Sequence, residues 1–347
     1  MQSAPSNEPT VAQTTSAKPS ERAVEILAKA CDDAARAQSV EDFSLVVQQC
    51  RHVLAIDRAA AVVNYAEELG AWALNKRGEL RADAGETADA LTDFNEALRM
   101  DGTRWRARHN RGVLMAQSGK YEDAFEDFND VIEQSPKFAK AYSNRASLYV
   151  QAGEFDAAMS DYRRAISLDP DLAVAHKGRG RVCHMLGKMD DALRHLDAAM
   201  LLAPEDAHVA SCRADLLVDT GRYGQAVEGY RQAIALDAEL ATAYRNLAWL
   251  EATCPNERYR DGEAAVGHAK QALALTGKTD GVSLDTLAAA HAAAGDFDSA
   301  VSFARQAMAT ASADDTPAYA QRLQLYESRQ PFVSSPIAPV EQTAYQY

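Results

Sequence analysis

The side chains that could do chemistry are present in this chain, but their spacing does not suit catalysis. Eight histidines are scattered through 347 residues with no His-Glu-x-x-His pair, and none forms a nucleophile motif with a serine or cysteine. Cys183 and His184 are adjacent in sequence, but successive helical side chains diverge by about 100°, so they do not make a thiol–imidazole pair. Gly178 and Gly180 begin a Gly-x-Gly. The third glycine of a dinucleotide loop is missing, and the pair falls inside a helical stretch rather than between strand and helix. The carboxylate pairs Asp190–Asp191 and Asp314–Asp315 fall at expected helix starts, where negative charge favours the helix dipole and needs no acid–base role. Cys31, Cys50, Cys183, Cys212 and Cys254 are odd in number and lack ligand spacing, which argues against a zinc site or a disulfide framework. These residues assign no catalytic group, metal or cofactor, and the chain reads as a non-enzyme.

One charged pattern does repeat. Arginine recurs at Arg77, Arg111, Arg145, Arg179 and Arg213, and Asp93, Asp127 and Asp161 follow the first three at a constant offset before giving way to His195 and Gly229. An arginine facing an acid across a helical hairpin predicts a structural ion-pair ladder, the competing reading being a row of ligand contacts.

The elements that position these residues follow from a period of 34, set by Gly85, Gly119, Gly153, Gly187 and Gly221. A strict period of that length implies stacked helix-turn-helix units. With units starting at Ala71, Trp105, Ala139, Ala173 and Ala207, the eighth place is always small (Gly78, Gly112, Ala146, Gly180, Ala214) and the twentieth always alanine (Ala90, Ala124, Ala158, Ala192, Ala226). Small residues there let the two helices of a unit approach closely. Phe94, Phe128, Tyr162, Leu196 and Tyr230 fill the twenty-fourth place and begin the apolar stripe of the second helix. Glycine at the fifteenth place should stop the first helix. Pro136, Pro170 and Pro204 should stop the second, and Gly102 and Ala238 at that place predict two less sharply defined junctions.

These residues resemble the tetratricopeptide repeat family, most closely in Ala139–Leu172, AKAYSNRASLYVQAGEFDAAMSDYRRAISLDPDL. Five contiguous units cover 71–104, 105–138, 139–172, 173–206 and 207–240. The resemblance implies an all-α fold: a right-handed α-α superhelix of about seven helix-turn-helix repeats with terminal capping helices, binding protein segments in its concave groove without a cofactor. Around the regular units the expected organisation is a disordered tail over 1–20 and a divergent repeat or cap over 21–70, with Phe43, Val46 and Val53 as a core face. Two divergent repeats then follow over 241–310, the first with the inserted CPNERYRDG, then a capping helix over 311–330 and a disordered tail over 331–347. The C-terminal part, with LAWLEATCPNERYRDG and LDTLAAAHAAAGDF, resembles the end module of repeat proteins abundant in planctomycete bacteria.

In the family the concave face takes the second, fifth, sixth, ninth, twelfth and thirteenth places. Carried onto this chain, the resemblance puts Trp72, Asn75, Arg106, His109, Asn110, Lys140, Ser143, Asn144, Lys177, Arg181, His184, Arg245 and Trp249 in a partner-binding groove. Its middle is basic in an acidic chain, and its ends carry acids and tryptophans. Such a face would take an extended acidic segment or a C-terminal carboxylate; the bland alternative is a solvated face of mixed charge. A chaperone-tail carboxylate clamp is matched only by Asn110 and Lys140, because Asn75, Glu79 and Asn144 stand where Lys, Asn and Arg are required.

A net charge of −14 argues against sequence-independent nucleic-acid binding. No apolar run approaches the roughly 18 residues of a membrane span, and no basic region followed by an apolar core opens the chain. The expectation is a cytoplasmic interaction scaffold or adaptor for a protein or peptide, or a periplasmic or envelope-associated one if a signal or anchor was trimmed. Two further classes stay open, a self-associating assembly component and an accessory subunit of an enzyme. The sequence leaves the oligomeric state open.

Overall fold

A computed structural model describes residues 18–277, 280–310, 312 and 316–335, and among them every regular element is helical. Two compact units divide the chain, Met1–Leu148 and Tyr149–Tyr347. The first contains α1 (Glu21–Arg36), α2 (Val40–Ile56), α3 (Ala60–Asp83), α4 (Thr87–Met100), α5 (Trp105–Gln117), α6 (Tyr121–Gln134) and most of α7 (Ala139–Gln151). The second contains α8 (Phe155–Leu168), α9 (Ala173–Met185), α10 (Met189–Leu202), α11 (Ala207–Asp219), α12 (Tyr223–Leu236) and α13 (Ala241–Thr253), then α14 (Gly262–Thr276), α15 (Gly281–Ala293), α16 (Phe297–Thr310) and α17 (Thr316–Glu327).

Within each unit, consecutive helices pack as antiparallel pairs, and the small residues are where the packing needs them. A Cβ added to Gly78 would lie 2.7 Å from the Phe94 ring, and one on Gly180 would lie 2.8 Å from Leu196. Ala90, Ala124, Ala192 and Ala226 are fully buried. The fifteenth-place glycines have a different reason: all five have φ between 71° and 79°, with open space where a Cβ would go. They carry the chain through the left-handed region that ends a first helix.

The second helices end by a device the proline pattern did not reveal. Helices α4 and α12 stop as sharply as α8, with nearly identical C-cap geometry at Asp101 (φ −139°), Asp237 (φ −140°) and Asp169 (φ −141°). The less defined junctions expected at Gly102 and Ala238 are therefore not found. Each of these aspartates accepts a hydrogen bond at Oδ1 from the backbone two residues on, from Thr103 (2.9 Å), Glu239 (2.9 Å) and Asp171 (3.2 Å). This Asx turn closes the helix whether or not proline follows.

At the N-terminal end, Phe43, Val46, Val47, Cys50 and Val53 form the buried face of α2, and the helical stretch before Trp72 is continuous with the helix containing it, as α3. The insertion after α13 folds back on its own unit. Tyr259 packs at 6.4 Å from the Tyr223 ring, Arg260 donates to the Cys254 carbonyl at 2.9 Å, and Asp261 caps α14 through Ala264 N–H.

Helix α17 and the residues after it seal the C-terminal pairs. Arg322 forms a two-point ion pair with Asp285 of α15, Nε to Oδ1 at 2.8 Å and Nη2 to Oδ2 at 2.7 Å. Its guanidinium lies 5.2 to 5.4 Å from the ring centres of Trp249, Tyr319 and Phe332. Ser334 N–H donates to the Thr253 carbonyl at 2.8 Å. Residues 331–335 of the expected tail are thus held against α13, which composition alone did not foretell; residues 336–347 and 1–17 lie outside the described residues.

Candidate functional site

In the first unit the first-helix faces of α3, α5 and α7 place their polar groups against one another across neighbouring repeats. Asn75, almost fully buried, donates to Glu79 Oε1 at 2.8 Å and accepts from Asn110 Nδ2 at 3.1 Å. Asn110 also donates to Glu79 Oε1 at 3.0 Å, and Lys76 Nζ lies 2.7 Å from Glu79 Oε2. His109 is buried edge-on to Phe138, and burial holds its imidazole below the ordinary value. The neutral ring accepts at Nε2 from Asn144 Nδ2 at 3.0 Å. Ser143 is also buried. Trp72 is half-buried and edge-on to Phe43. Arg106 is exposed and stacks 4.3 Å above the Trp105 ring. Lys140 is exposed and makes no ion pair among the described residues. A cavity of about 420 Å³ joins Trp72, Asn75, Lys76, Trp105 and Arg106.

In the second unit, Lys177 Nζ is 2.8 Å from Asp206 Oδ2, and Asp206 in turn caps the start of α11. His184 Nε2 is 2.7 Å from Asp219 Oδ2. Among the described residues, exposed Arg181 makes no ion pair, and Arg245 turns its Nε to Asn246 Oδ1 at 3.4 Å and meets no carboxylate. Trp249 is half-buried, 6.0 Å from Phe332. Arg245 and Trp249 line a cavity of about 410 Å³ together with Asp215, Asp219, Tyr230, Asn246 and Arg322. Tyr230, which its twenty-fourth place assigns to the apolar stripe, is not an expected groove residue, whereas Asp215 and Asp219 stand at two of the concave-face places. The sequence signal that marks them is a pair of acids at the ninth and thirteenth places of one repeat, followed by asparagine at the sixth place of the next.

The arginine series is a ladder in the first unit. Arg77 grips Asp93 with Nε to Oδ2 at 3.0 Å and Nη2 to Oδ1 at 2.5 Å, and Arg111 grips Asp127 at 2.8 and 2.6 Å. Arg111 Nη1 also donates back to Asn95 (2.8 Å) and Arg145 Nη1 to Asn129 (2.7 Å), so each ties its own repeat to the preceding helix. In the second unit, Arg213 pairs with that backward partner, Asp197, at 2.6 Å.

Arg179 breaks the series. Histidine stands at its own acid place, Arg163 stands at the backward place, and its Nε is buried without a partner. Burial, with Arg179 and His176 adding to it, pushes His195 down to about 4. This folded value lies below the ordinary one of about 6.5, so protons favour the unfolded chain. The stabilisation is complete above pH 6.5 and is lost as pH falls toward 4. The wild-type melting temperature should therefore drop by several degrees between pH 7 and 5. His195→Asp, which restores the acid opposite Arg179, should raise the melting temperature at pH 7 and flatten that slope. Thermal unfolding of both chains at the two pH values checks this, and parallel curves would reject it.

No helix among the described residues is long and apolar enough to cross a membrane, and no group of three or more metal-ligating side chains converges among them. No curated protein sequence matches the chain. Solved structures share its fold at low identity. The Cut9 and Hcn1 hetero-tetramer of the APC/C aligns with a TM-score of 0.59 at 17% identity, over 76% of this chain and 55% of that one. A tetratricopeptide repeat protein from Parabacteroides merdae aligns at 0.54 and 20% identity, over 78% and 99%. PilF of Pseudomonas aeruginosa aligns at 0.51 and 18%, over 60% and 93%. Tetratricopeptide repeat family models match residues 75–137, 139–172, 214–249 and 282–312. Over these segments the chain is similar to tetratricopeptide repeats, within an all-α helical repeat fold.

Proposed function

We propose that this protein is a non-catalytic interaction scaffold whose first-helix faces hold an extended, acidic segment of a partner protein. The observation that supports this reading is which charges are left over. In a chain with 50 acids against 36 basic residues, most cations of these faces could have found a carboxylate, and Lys76 and Lys177 do. Among the described residues, Arg106 and Lys140 in the first unit, and Arg181 and Arg245 in the second, make no ion pair. Unpaired cations beside the amides of Asn144 and Asn246 offer carboxylates charge-assisted bonds. The rest of each face is already fixed by its own hydrogen bonds, so little order would have to be gained on binding.

Fluorescence anisotropy with a labelled, alternating Glu-Gly peptide tests the reading, with the Lys-Gly peptide as control. The pair Arg106→Glu and Lys140→Glu, and separately Arg181→Glu, should each weaken Glu-Gly binding about tenfold or more, as expected when charge-assisted bonds of about 1.5–3 kcal/mol are lost. Lys177 is left in place because it supports Asp206 at the start of α11. Binding unchanged by both sets of reversals would remove the proposal.

A further inference from the structure

In the second unit the chain lays a stretch of its own backbone on a first-helix face. After α17 residues 331–335 run without helix or turn, with Phe332 and Ser334 half-buried and Pro331, Val333 and Ser335 exposed. That alternation is the period of two of an extended strand lying on a surface. Phe332 packs on the Trp249 ring, 6.0 Å between centres, with the Arg322 guanidinium 5.4 Å from its own ring centre. Ser334 meets Thr253, one turn further along α13, donating its N–H to the Thr253 carbonyl at 2.8 Å and its hydroxyl to Thr253 Oγ1 at 3.1 Å. The direction of the second bond is fixed, because Thr253 gives its own hydroxyl proton to the Trp249 carbonyl at 2.8 Å. Thr253 therefore presents two acceptors, and its carbonyl belongs to the last turn of α13, where no helical N–H reaches it.

We propose that this face of α13 is a docking position for an extended partner segment with an aromatic residue and, two places on, a side chain that donates a hydrogen bond, and that residues 331–335 are its displaceable occupant in the free protein. The occupant is held far more lightly than the helix before it. Helix α17 is anchored by the two-point Arg322–Asp285 pair and by Tyr319 and Tyr326, both buried. Residues 331–335 have, among the described residues, one main-chain hydrogen bond, one hydroxyl contact and one half-buried ring. A segment fixed at so few points opens at much lower cost than the whole fold, and α17 stays when it lifts. What it uncovers defines the ligand. The indole and the guanidinium favour an aromatic ring, and the two Thr253 acceptors need donors. A carboxylate at the second position would bring no proton to them. The inference rests on the reading of the first-helix faces as an interaction surface, but it calls on Trp249 and Thr253 and not on the free cations.

The test uses the full chain with its three tryptophan indoles labelled with nitrogen-15, the Trp249 signal being identified by Trp249→Phe. The probe is the capped peptide of residues 330–335, Gln-Pro-Phe-Val-Ser-Ser, beside two control peptides in which the phenylalanine or the first serine is alanine. In the chain carrying Phe332→Ala and Ser334→Asp the Trp249 indole should shift, and the free peptide should bind saturably and bring the signal back toward its wild-type position. The wild-type chain should bind the same peptide about tenfold or more weakly, because its tethered segment competes at an effective concentration on the order of millimolar. Each control peptide should bind the double variant about fivefold or more weakly, the loss expected for one ring contact or one hydrogen bond. Ser334→Ala alone should give an affinity between wild type and the double variant, and it decides the matter should the double variant fail to fold. No binding to the variants, equal affinity for wild type and variant, or indifference to the control substitutions overturns the proposal and makes residues 331–335 a fixed seal. Glu-Gly peptide binding reads Arg106, Lys140 and Arg181, so that reading and this one fail separately.

Discussion

Arg322→Met should lower the stability of the second unit by about 3–5 kcal/mol, the cost of removing one partner of a buried ion pair. Arg322 and Asp285 have side chains only 12% and 7% exposed, so the carboxylate left behind would lose a two-point partner with little water to replace it. The three rings around the guanidinium would lose a cation–π partner as well, and each such contact is worth on the order of 0.5–2 kcal/mol. Because Trp249 is one of those rings and Phe332 another, the loss should appear as altered Trp249 fluorescence at temperatures below the main unfolding transition. The double variant Arg322→Met with Asp285→Leu removes both charges and should recover most of the stability. A single variant within about 1 kcal/mol of wild type, a value typical of exposed pairs, would show that α17 is held by its apolar contacts alone.

The second large effect is expected at Asp93→Ala in the first unit. Asp93 is fully buried and receives Arg77 through two nitrogens and Arg81 through Nη1 at 2.8 Å. Removing it leaves two guanidinium groups facing each other with no acid between them, again a loss of about 3–5 kcal/mol. Arg213→Met is the matched comparison. Its pair with Asp197 is 32% and 50% exposed, so removing one partner there should cost under about 1 kcal/mol. Denaturant unfolding of the two variants checks the contrast. Equal losses would mean that burial does not set the strength of the ladder.

The repeat architecture was legible because packing imposes a period: the glycines, the small eighth place and the twentieth-place alanines recur wherever two helices must touch. The forward half of the ladder was legible for the same reason, since Arg77–Asp93 and Arg111–Asp127 lie within one repeat. Its backward half was not. Arg213–Asp197 joins a helix to the one before it, and aligning repeats one beneath another hides contacts that cross from one to the next. The same blindness applies to the first-helix faces, where Asn110 reaches Asn75 and Glu79, and Asn144 reaches His109. Read singly these look like ligand contacts; in the fold they hold one another. The packing of Phe332 and Ser334 onto α13 had no periodic signal at all, and Ser- and Pro-rich composition pointed away from it. Aspartate rather than proline closes α4 and α12, and an aspartate is too common on exposed helix surfaces to mark a helix end by itself.

The repeats contain two kinds of glycine, and synthesis can tell them apart. At Gly78 the Phe94 ring occupies the space a side chain would need, so a methyl group meets a collision. At Gly153 the space is open and only the sign of φ excludes an ordinary residue. The restriction there is one of chirality, not of volume. A mirror-image alanine placed at Gly153 by chemical ligation would enter the turn without strain and narrow the freedom of the unfolded chain, turning a loose joint of the repeat into a stiff one.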